Sequence, residues 1–312
     1  MKTPLYAPKQ PDLIYDVGLH KGEDAEFYLR KGFRVVAFEA DSDLIALCTK
    51  RLKEFIDQGQ LTIVHGAIVD PNLIGDGRKT VPFYKNWDVS AWGTVRADWV
   101  ERNARLGTSS SVTEVAAINF ADAIRQFGVP YFMKIDIEGC DTVCVSALSE
   151  FEERPTYISI ESDKTGIEII KLEIDLFTKL GYTSFQAVEQ SAIPVSQSPP
   201  HPPREGKYVA QRFENGSSGL FGLDLEDQWK SKHEILRQYR LIRLGFFLLG
   251  DDGIMIKWKF RGSDRLRLLA ERVVRHFTHA AVPGWYDTHA RHSCADASRI
   301  VLRDKTANKS FA

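Results

Sequence analysis

The chain has 312 residues, 43% of them hydrophobic and 27% charged, with a formal net charge of −1. That is the composition of an ordinary globule, long enough for one large α/β domain with an extension or for two small domains. It supplies no global field to recruit nucleic acid or an anionic membrane, so neither is expected as a partner.

The first predicted strand, residues 13–17, runs straight into Asp16-Val17-Gly18-Leu19-His20-Lys21-Gly22 and then into an amphipathic stretch from Glu23 to Lys31. A second apolar run, Phe33 to Phe38, stops at Glu39. A strand, a tight glycine turn, a helix and a strand ending in a carboxylate form the front half of a nucleotide-binding α/β unit. Glu39 lies about 20 residues beyond the turn, where such a fold aims an acid at a ribose diol. Two glycines behind an aspartate, rather than the three of GxGxxG, point to S-adenosylmethionine over a dinucleotide. Gly18 lets the backbone approach the ligand, and Gly22 lets the helix start against the strand. Asp16 suits the amino end of a methionine moiety and would repel a pyrophosphate.

A helical stripe follows over residues 42–56, with Asp41, Ser42 or Asp43 available to cap it. The third strand, 61–65, leads into His65-Gly66-Ala67. Small residues there leave space for a flat adenine, with Ala67 as the candidate contact; a plain strand-to-loop turn is the even alternative. Residues 81–112 break the rhythm and carry Trp87, Trp92 and Trp99. They are expected to cover an acceptor pocket and to be the more mobile part of the domain.

A helix over 119–127 precedes the fourth strand, 131–135, which ends in Asp136-Ile137-Glu138-Gly139. Acids leaving the carboxyl edge of a sheet lie where open α/β folds bind ligands. In an extended segment Asp136 and Glu138 would point the same way, as candidate general bases; either could instead cap the helix over 141–148. Strands at 157–160 and 183–188, with a helix over 165–180, complete the alternation. Glu161 is the third candidate base, and Asp163 reads as a helix cap.

Residues 191–206 are rich in Pro and Ser and read as a stiff extended loop. Beyond them periodicity is mixed, with a basic helix over 264–276. His276, His279, His289 and His292 gather near Cys294 and read as surface residues; no zinc signature is matched and no metal is assigned. Cys48, Cys140, Cys144 and Cys294 show no framework spacing, and Cys140 and Cys144 read as small core residues. Reduced thiols imply the cytosol. Met1 to Pro11 lacks the apolar core of a signal peptide, and the longest apolar cluster, 241–249, is too short to span a bilayer.

DVGLHKG at 16–22, FEAD at 38–41 and KIDIEGCD at 134–141, with Asn119-Phe120-Ala121-Asp122-Ala123-Ile124 ahead of the last, resemble the FkbM family of S-adenosylmethionine-dependent methyltransferases over roughly residues 12–190. The resemblance implies an α/β, Rossmann-like class I methyltransferase fold: a mostly parallel sheet with helices on both faces. Residues 1–190 would be the cofactor-binding domain, and 191–312 a Pro-rich loop with a C-terminal extension packed on it. It implies O-methylation of a hydroxyl on a sugar, polyketide or other small-molecule acceptor, with cofactor contacts at Asp16, Gly18, Gly22, Glu39 and Asp136. His20 is counted with them as part of the turn, although the family more often has a small or amide residue there. The base is expected among Asp136, Glu138 and Glu161, in that order. A homodimer is compatible with this reading. The rival readings are an NAD-dependent oxidoreductase or nucleotide-sugar enzyme, which would need a third turn glycine and a Tyr–Lys pair, and a non-catalytic cofactor-binding protein of the same fold.

Overall fold

Ile14, Tyr15, Asp16 and Val17 are all buried, so the strand that carries them is covered on both faces, as parallel sheets require. The computed structural model describes residues 4–75, 77–162, 166–225, 228–249, 272 and 285–295. Two compact units group the chain, the first holding 1–160, 199–211 and 221–224, the second the remainder.

The first unit begins β1 (Lys9–Val17), α1 (Glu23–Arg30), β2 (Arg34–Glu39), α2 (Ser42–Arg51), α3 (Lys53–Asp57) and β3 (Leu61–His65). Then come β4 (Ala67–Ile68), α4 (Pro71–Gly75), β5 (Thr80–Asn86), α5 (Ala97–Arg105) and β6 (Ser110–Ile118). It closes with α6 (Phe120–Phe127), β7 (Val129–Ile135), α7 (Asp141–Ala147) and β8 (Tyr157–Glu161). The large strands lie in the order β3-β2-β1-β7-β8, every neighbouring pair parallel. Side-chain alternation sends Tyr15 to one face, edge-on to Phe38 and Phe120, with its hydroxyl donating to the Gly128 carbonyl at 2.6 Å. On another side Phe132 meets Tyr28 of α1 and stacks on Phe221.

The expected helix over 42–56 is two helices broken at Leu52, and Asp41 is the cap, accepting from the Asp43 N–H at 2.8 Å. Residues 81–112 hold more regular structure than their sequence announces. β5 pairs antiparallel with β6, and β4 joins β6 in parallel to make a separate three-stranded sheet. β6 is exposed along most of its length, so its apolar signal is weak.

The second unit contains α8 (Ile167–Lys179), β9 (Tyr182–Glu189), α9 (Ile193–Ser196), α10 (Lys232–Leu249) and β10 (Tyr286–His292). β9 and β10 pair antiparallel. The Pro- and Ser-rich loop is partly helical at its start, in α9, which corrects the expectation of a wholly extended segment. His289 is buried in β10, and burial holds its imidazole at about 4; the surface reading of this histidine is overturned. Asp163, His276, His279 and, apart from Arg272, the expected helix over 264–276 lie outside the described residues. All four cysteines are free thiols, with Cys48 and Cys144 buried. Among the described residues no helix is long and apolar enough to cross a membrane, and no cluster of acids, histidines and cysteines could hold a metal.

Candidate active site

β1 lies between β2 and β7, so strand order reverses between β1 and β7. In an open parallel sheet the ligand crevice forms at that reversal, beyond the carboxyl ends of the strands. Two turns meet there. Gly18 adopts φ +93°, and a Cβ at this position would lie 2.1 Å from the Asp136 carbonyl oxygen. Only glycine allows the two backbones this approach. The Asp136 N–H donates to the Val17 carbonyl at 2.9 Å, and the Gly18 and Leu19 N–H groups donate to the Phe38 carbonyl at 3.0 and 3.1 Å. Gly22, at φ +79°, opens α1 against Cys48 of α2 and Leu52 at the break between α2 and α3.

His20 and Glu138 are the two non-glycine residues with positive φ among the described residues, at +50° and +42°. Such backbone conformations are unfavourable for side-chain-bearing residues and gather at functional sites. The turn at Glu138 also means that the chain is not extended beyond Ile135, so the expected alternation of Asp136 and Glu138 along one strand is not the observed geometry.

Glu39 ends β2, and its carboxylate already holds three backbone donors. Oε1 accepts from Ala40 at 2.8 Å and Asp41 at 2.9 Å, and Oε2 accepts from His20 at 2.9 Å. Burial pushes this carboxyl above its ordinary value, opposed by those bonds. Glu39 thus ties the loop after β2 to the glycine turn. His20 carries the link further: its carbonyl accepts from the Cys48 thiol, and Nε2 lies 2.8 Å from the Ser90 hydroxyl. Burial lowers the His20 pKa.

Asp16 is fully buried, and neither carboxylate oxygen has a close hydrogen-bond partner among the described residues. Its nearest cation is the Lys134 ammonium at 3.5 Å. Burial pushes Asp16 up to about 7, against the pull of Lys134. Asp136, by contrast, keeps 45% of its side chain exposed while lying 3.7 Å from the same ammonium. It is the carboxylate of this pair that a ligand in the crevice can reach. Glu138 is half-buried in the same turn. Ala67 packs in the core of the small sheet with Val69, Val81, Phe83 and Val115, which leaves its backbone as the group to face a ligand. Glu161 ends β8 and is grouped with the second unit.

Residues that sequence reasoning passed over complete the picture. Residues 81–112 hold all three loops at this edge. Ser90 reaches His20; the Lys85 ammonium pairs with Asp41 at 3.1 Å and with Asp43; the Thr94 hydroxyl donates to the Glu138 carbonyl at 3.0 Å. Arg96 donates to the Gly139 carbonyl at 3.2 Å, and Trp99 lies against Gly139. Lys134 itself was legible: a charge inside the otherwise apolar β7 must be paired.

A parallel sheet with β1 at its reversal, a glycine turn after β1 and an acid ending β2 define a Rossmann-like class I methyltransferase fold, mostly parallel and helix-flanked. The chain belongs to the FkbM methyltransferase family: the family's model, the methyltransferase FkbM domain, matches residues 16–190. It is an S-adenosylmethionine-dependent methyltransferase, and S-adenosylmethionine is its cofactor. Among solved structures it is similar to the methyltransferase FkbM from Methylobacillus flagellatus KT, at 16% identity and TM-score 0.36, covering 59% of this chain and 41% of that one. It is similar to the precorrin-6Y C5,15-methyltransferase from Geobacter metallireducens GS-15, at 12% identity and TM-score 0.30, covering 59% and 70%. It is also similar to a methyltransferase from Thiobacillus denitrificans in complex with S-adenosyl-L-homocysteine, at 10% identity and TM-score 0.32, covering 91% and 86%. No curated protein sequence matches the chain.

Proposed function

We propose that this methyltransferase transfers the methyl group of S-adenosylmethionine to a hydroxyl oxygen of a sugar or other small-molecule acceptor. The observation that carries the reading is Asp136, whose backbone packs against Gly18 at the reversal point of the sheet while its carboxylate stays 45% exposed. The cofactor brings the electrophile, so the protein aligns donor and acceptor and removes a proton. A hydroxyl needs that proton removed as it attacks, and a carboxylate within reach serves as general base. Asp136 is our first choice, ahead of Glu138 and Glu161.

For the cofactor we assign Gly18 and Gly22 to close backbone approach, Glu39 to the ribose, and Ala67 to the adenine through its backbone. Asp16 acts from beneath the turn through its charge, since its side chain is enclosed. His20 contributes by shape, fixing the turn to residues 81–112. Those residues we assign to the cover of the acceptor pocket, where Trp87, 62% exposed, offers a face for a sugar ring. We take 1–190 as the cofactor-binding domain and 191–312 as loop and extension. The free thiols support a cytosolic setting.

The test uses cofactor labelled in the methyl group and a cell extract as acceptor source. The label should enter a small molecule or glycan as a base-stable ether. Asp136→Asn should cut single-turnover rate by about 10²-fold with an unchanged thermal midpoint, the usual scale for a lost acid–base group. A purely capping role predicts the reverse, a stability loss of about 1 kcal/mol with near-normal turnover. Label in a carboxylate or amine product would remove the hydroxyl assignment.

A further inference from the structure

Lys134 occupies a peculiar place. It lies on β7, two residues after Phe132 and so on the face that meets α1, and it is almost wholly buried. Its ammonium donates to the Gly18 carbonyl at 3.0 Å. Around it stand three carboxylates: Asp16 at 3.5 Å, Asp136 at 3.7 Å and Asp24 at 3.8 Å. Among the described residues this ammonium thus stands beside three acids, each at longer range than its bond to the turn. Asp24 brings in α1, Asp16 and Gly18 bring in β1 and the glycine turn, and Asp136 brings in the exit of β7.

We propose that Lys134 is a positioning residue for the cofactor: its ammonium ties the Gly18 carbonyl to Asp16, Asp24 and Asp136, and so holds the glycine turn and the Asp136 turn in the arrangement that receives the cofactor. This inference rests on the reading of that crevice as the cofactor site. When ionised, Asp16 puts negative charge directly beneath the turn, with Asp24 and Asp136 close by. The α-ammonium, which S-adenosylmethionine and S-adenosylhomocysteine share, is the positive group that this negative charge favours. A neutral side chain at 134 would leave the Gly18 carbonyl without this donor and three carboxylates without this counter-charge.

The charge on Asp16 makes the idea measurable. Lys134, Asp24 and Asp136 act on it directly, from β7, α1 and the exit of β7. The Cys48 thiol on α2 feels both Asp16 and Glu39, and His20 of the turn feels Lys134 and Asp136. Burial places Asp16 at about 7 with Lys134 present. Below that midpoint Asp16 is neutral and the negative charge beneath the turn shrinks, so cofactor affinity rises with pH through the midpoint. Removing the ammonium removes a group that holds Asp16 down, and the midpoint moves up.

The experiment is calorimetric binding of S-adenosylhomocysteine between about pH 6 and about pH 9, with thermal midpoints measured alongside. The ligand's amino group also titrates in this range, so each variant is read against the wild type at the same pH. Lys134→Met should bind at least about tenfold more weakly at about pH 7.5 and recover part of that loss by about pH 9. Lys134→Arg, which keeps the charge, should stay within about threefold, and Asp16→Asn should flatten the pH step. If Lys134→Met does not fold, Lys134→Gln removes the charge while keeping a donor and serves the same comparison. Wild-type affinity and midpoint in the neutral variant would overturn the proposal. So would an equal loss in the Met and Arg variants at every pH, which marks a merely structural residue. Asp16→Asn with an unaltered pH step in a tightly binding protein would instead overturn the placement of the cofactor above Asp16, separating that failure from the failure of Lys134.

Discussion

Two buried lysines in the first unit show how the same side chain serves different ends. Lys31 follows α1 at the amino edge of the sheet and meets Asp224 at 2.5 Å, both side chains 1% exposed. The other Asp224 oxygen accepts from the Arg204 N–H at 2.8 Å, and the Lys31 carbonyl accepts from the Lys207 N–H at 2.8 Å. This is a short, saturated pair that pins residues 199–211 and 221–224 to the start of β2. Lys134, at the carboxyl edge, has longer contacts to more partners, and beside it Asp16 meets the ammonium only at 3.5 Å, with no closer hydrogen bond among the described residues. A buried charge with its bonds complete can only hold structure. A cluster with a buried carboxylate left over still has interaction to give to a positively charged ligand. A cavity of about 300 Å³ lies at the amino edge as well, lined by Asp12, Phe33, Tyr131 and Glu205, at the opposite end of the sheet from the crevice where the strand order reverses.

The sharpest way to break this comparison is to remove Lys31. Lys31→Met leaves Asp224 buried and uncompensated, which costs about 3–5 kcal/mol in folding stability. S-adenosylhomocysteine affinity at a temperature where the protein is folded should stay within about twofold of wild type, since the pair touches neither turn of the crevice. Chemical denaturation and calorimetry on the same sample check both halves. A loss of affinity matching the loss of stability would erase the distinction between the two lysines.

A smaller effect is expected at Glu39. Its carboxylate accepts three backbone N–H groups, and a glutamine amide would turn a donor toward one of them. A charge-assisted bond from the ribose to this carboxylate would contribute roughly 1.5–3 kcal/mol, so Glu39→Gln should weaken S-adenosylhomocysteine binding by about tenfold. Some folding stability, about 1 kcal/mol, should go with it, because the same oxygens anchor the His20 and Asp41 loops. Unchanged affinity with reduced stability would make Glu39 a loop anchor only.

Much of the parallel sheet could be read in advance because its signals are local. Leu61–His65 is an apolar run with clean ends, Gly18 and Gly22 punctuate a strand and a helix, and Asp41 is a cap by chemistry. The candidate turn residues followed from that order. What stayed hidden depends on partners far away in sequence. β6 shows mostly exposed residues, so nothing in its pattern marks it until β5 pairs with it. β10 finds β9 across about a hundred residues, and its buried His289 looks like a surface residue until that pairing buries it. The turn at Glu138 could not be foreseen either, since the Thr94 hydroxyl that holds its carbonyl comes from residues 81–112, about 44 residues away.

The smallest predicted effect concerns that same segment. The His20–Ser90 contact is exposed, and a neutral bond of this sort contributes about 0.5–1.5 kcal/mol. Ser90→Ala should therefore leave global stability nearly unchanged while loosening residues 81–112 locally. Amide hydrogen exchange around Ser90–Trp92 should speed up by about fivefold, the rate equivalent of about 1 kcal/mol in local opening. Adding S-adenosylhomocysteine should slow exchange in the glycine turn and, through His20 and Thr94, in residues 81–112 of the wild type. In the alanine variant the protection of the turn should persist, and that around Ser90 should fall away. The pH gives an independent handle. Burial holds the His20 pKa below its ordinary value, so the imidazole is neutral at neutral pH. As pH falls through that lowered value the half-buried ring gains a charge that its surroundings disfavour, and the wild-type exchange around Ser90 should then approach that of the variant. Ligand protection confined to the turn in both proteins would show that residues 81–112 do not close over the crevice, and their assignment as acceptor cover would fall.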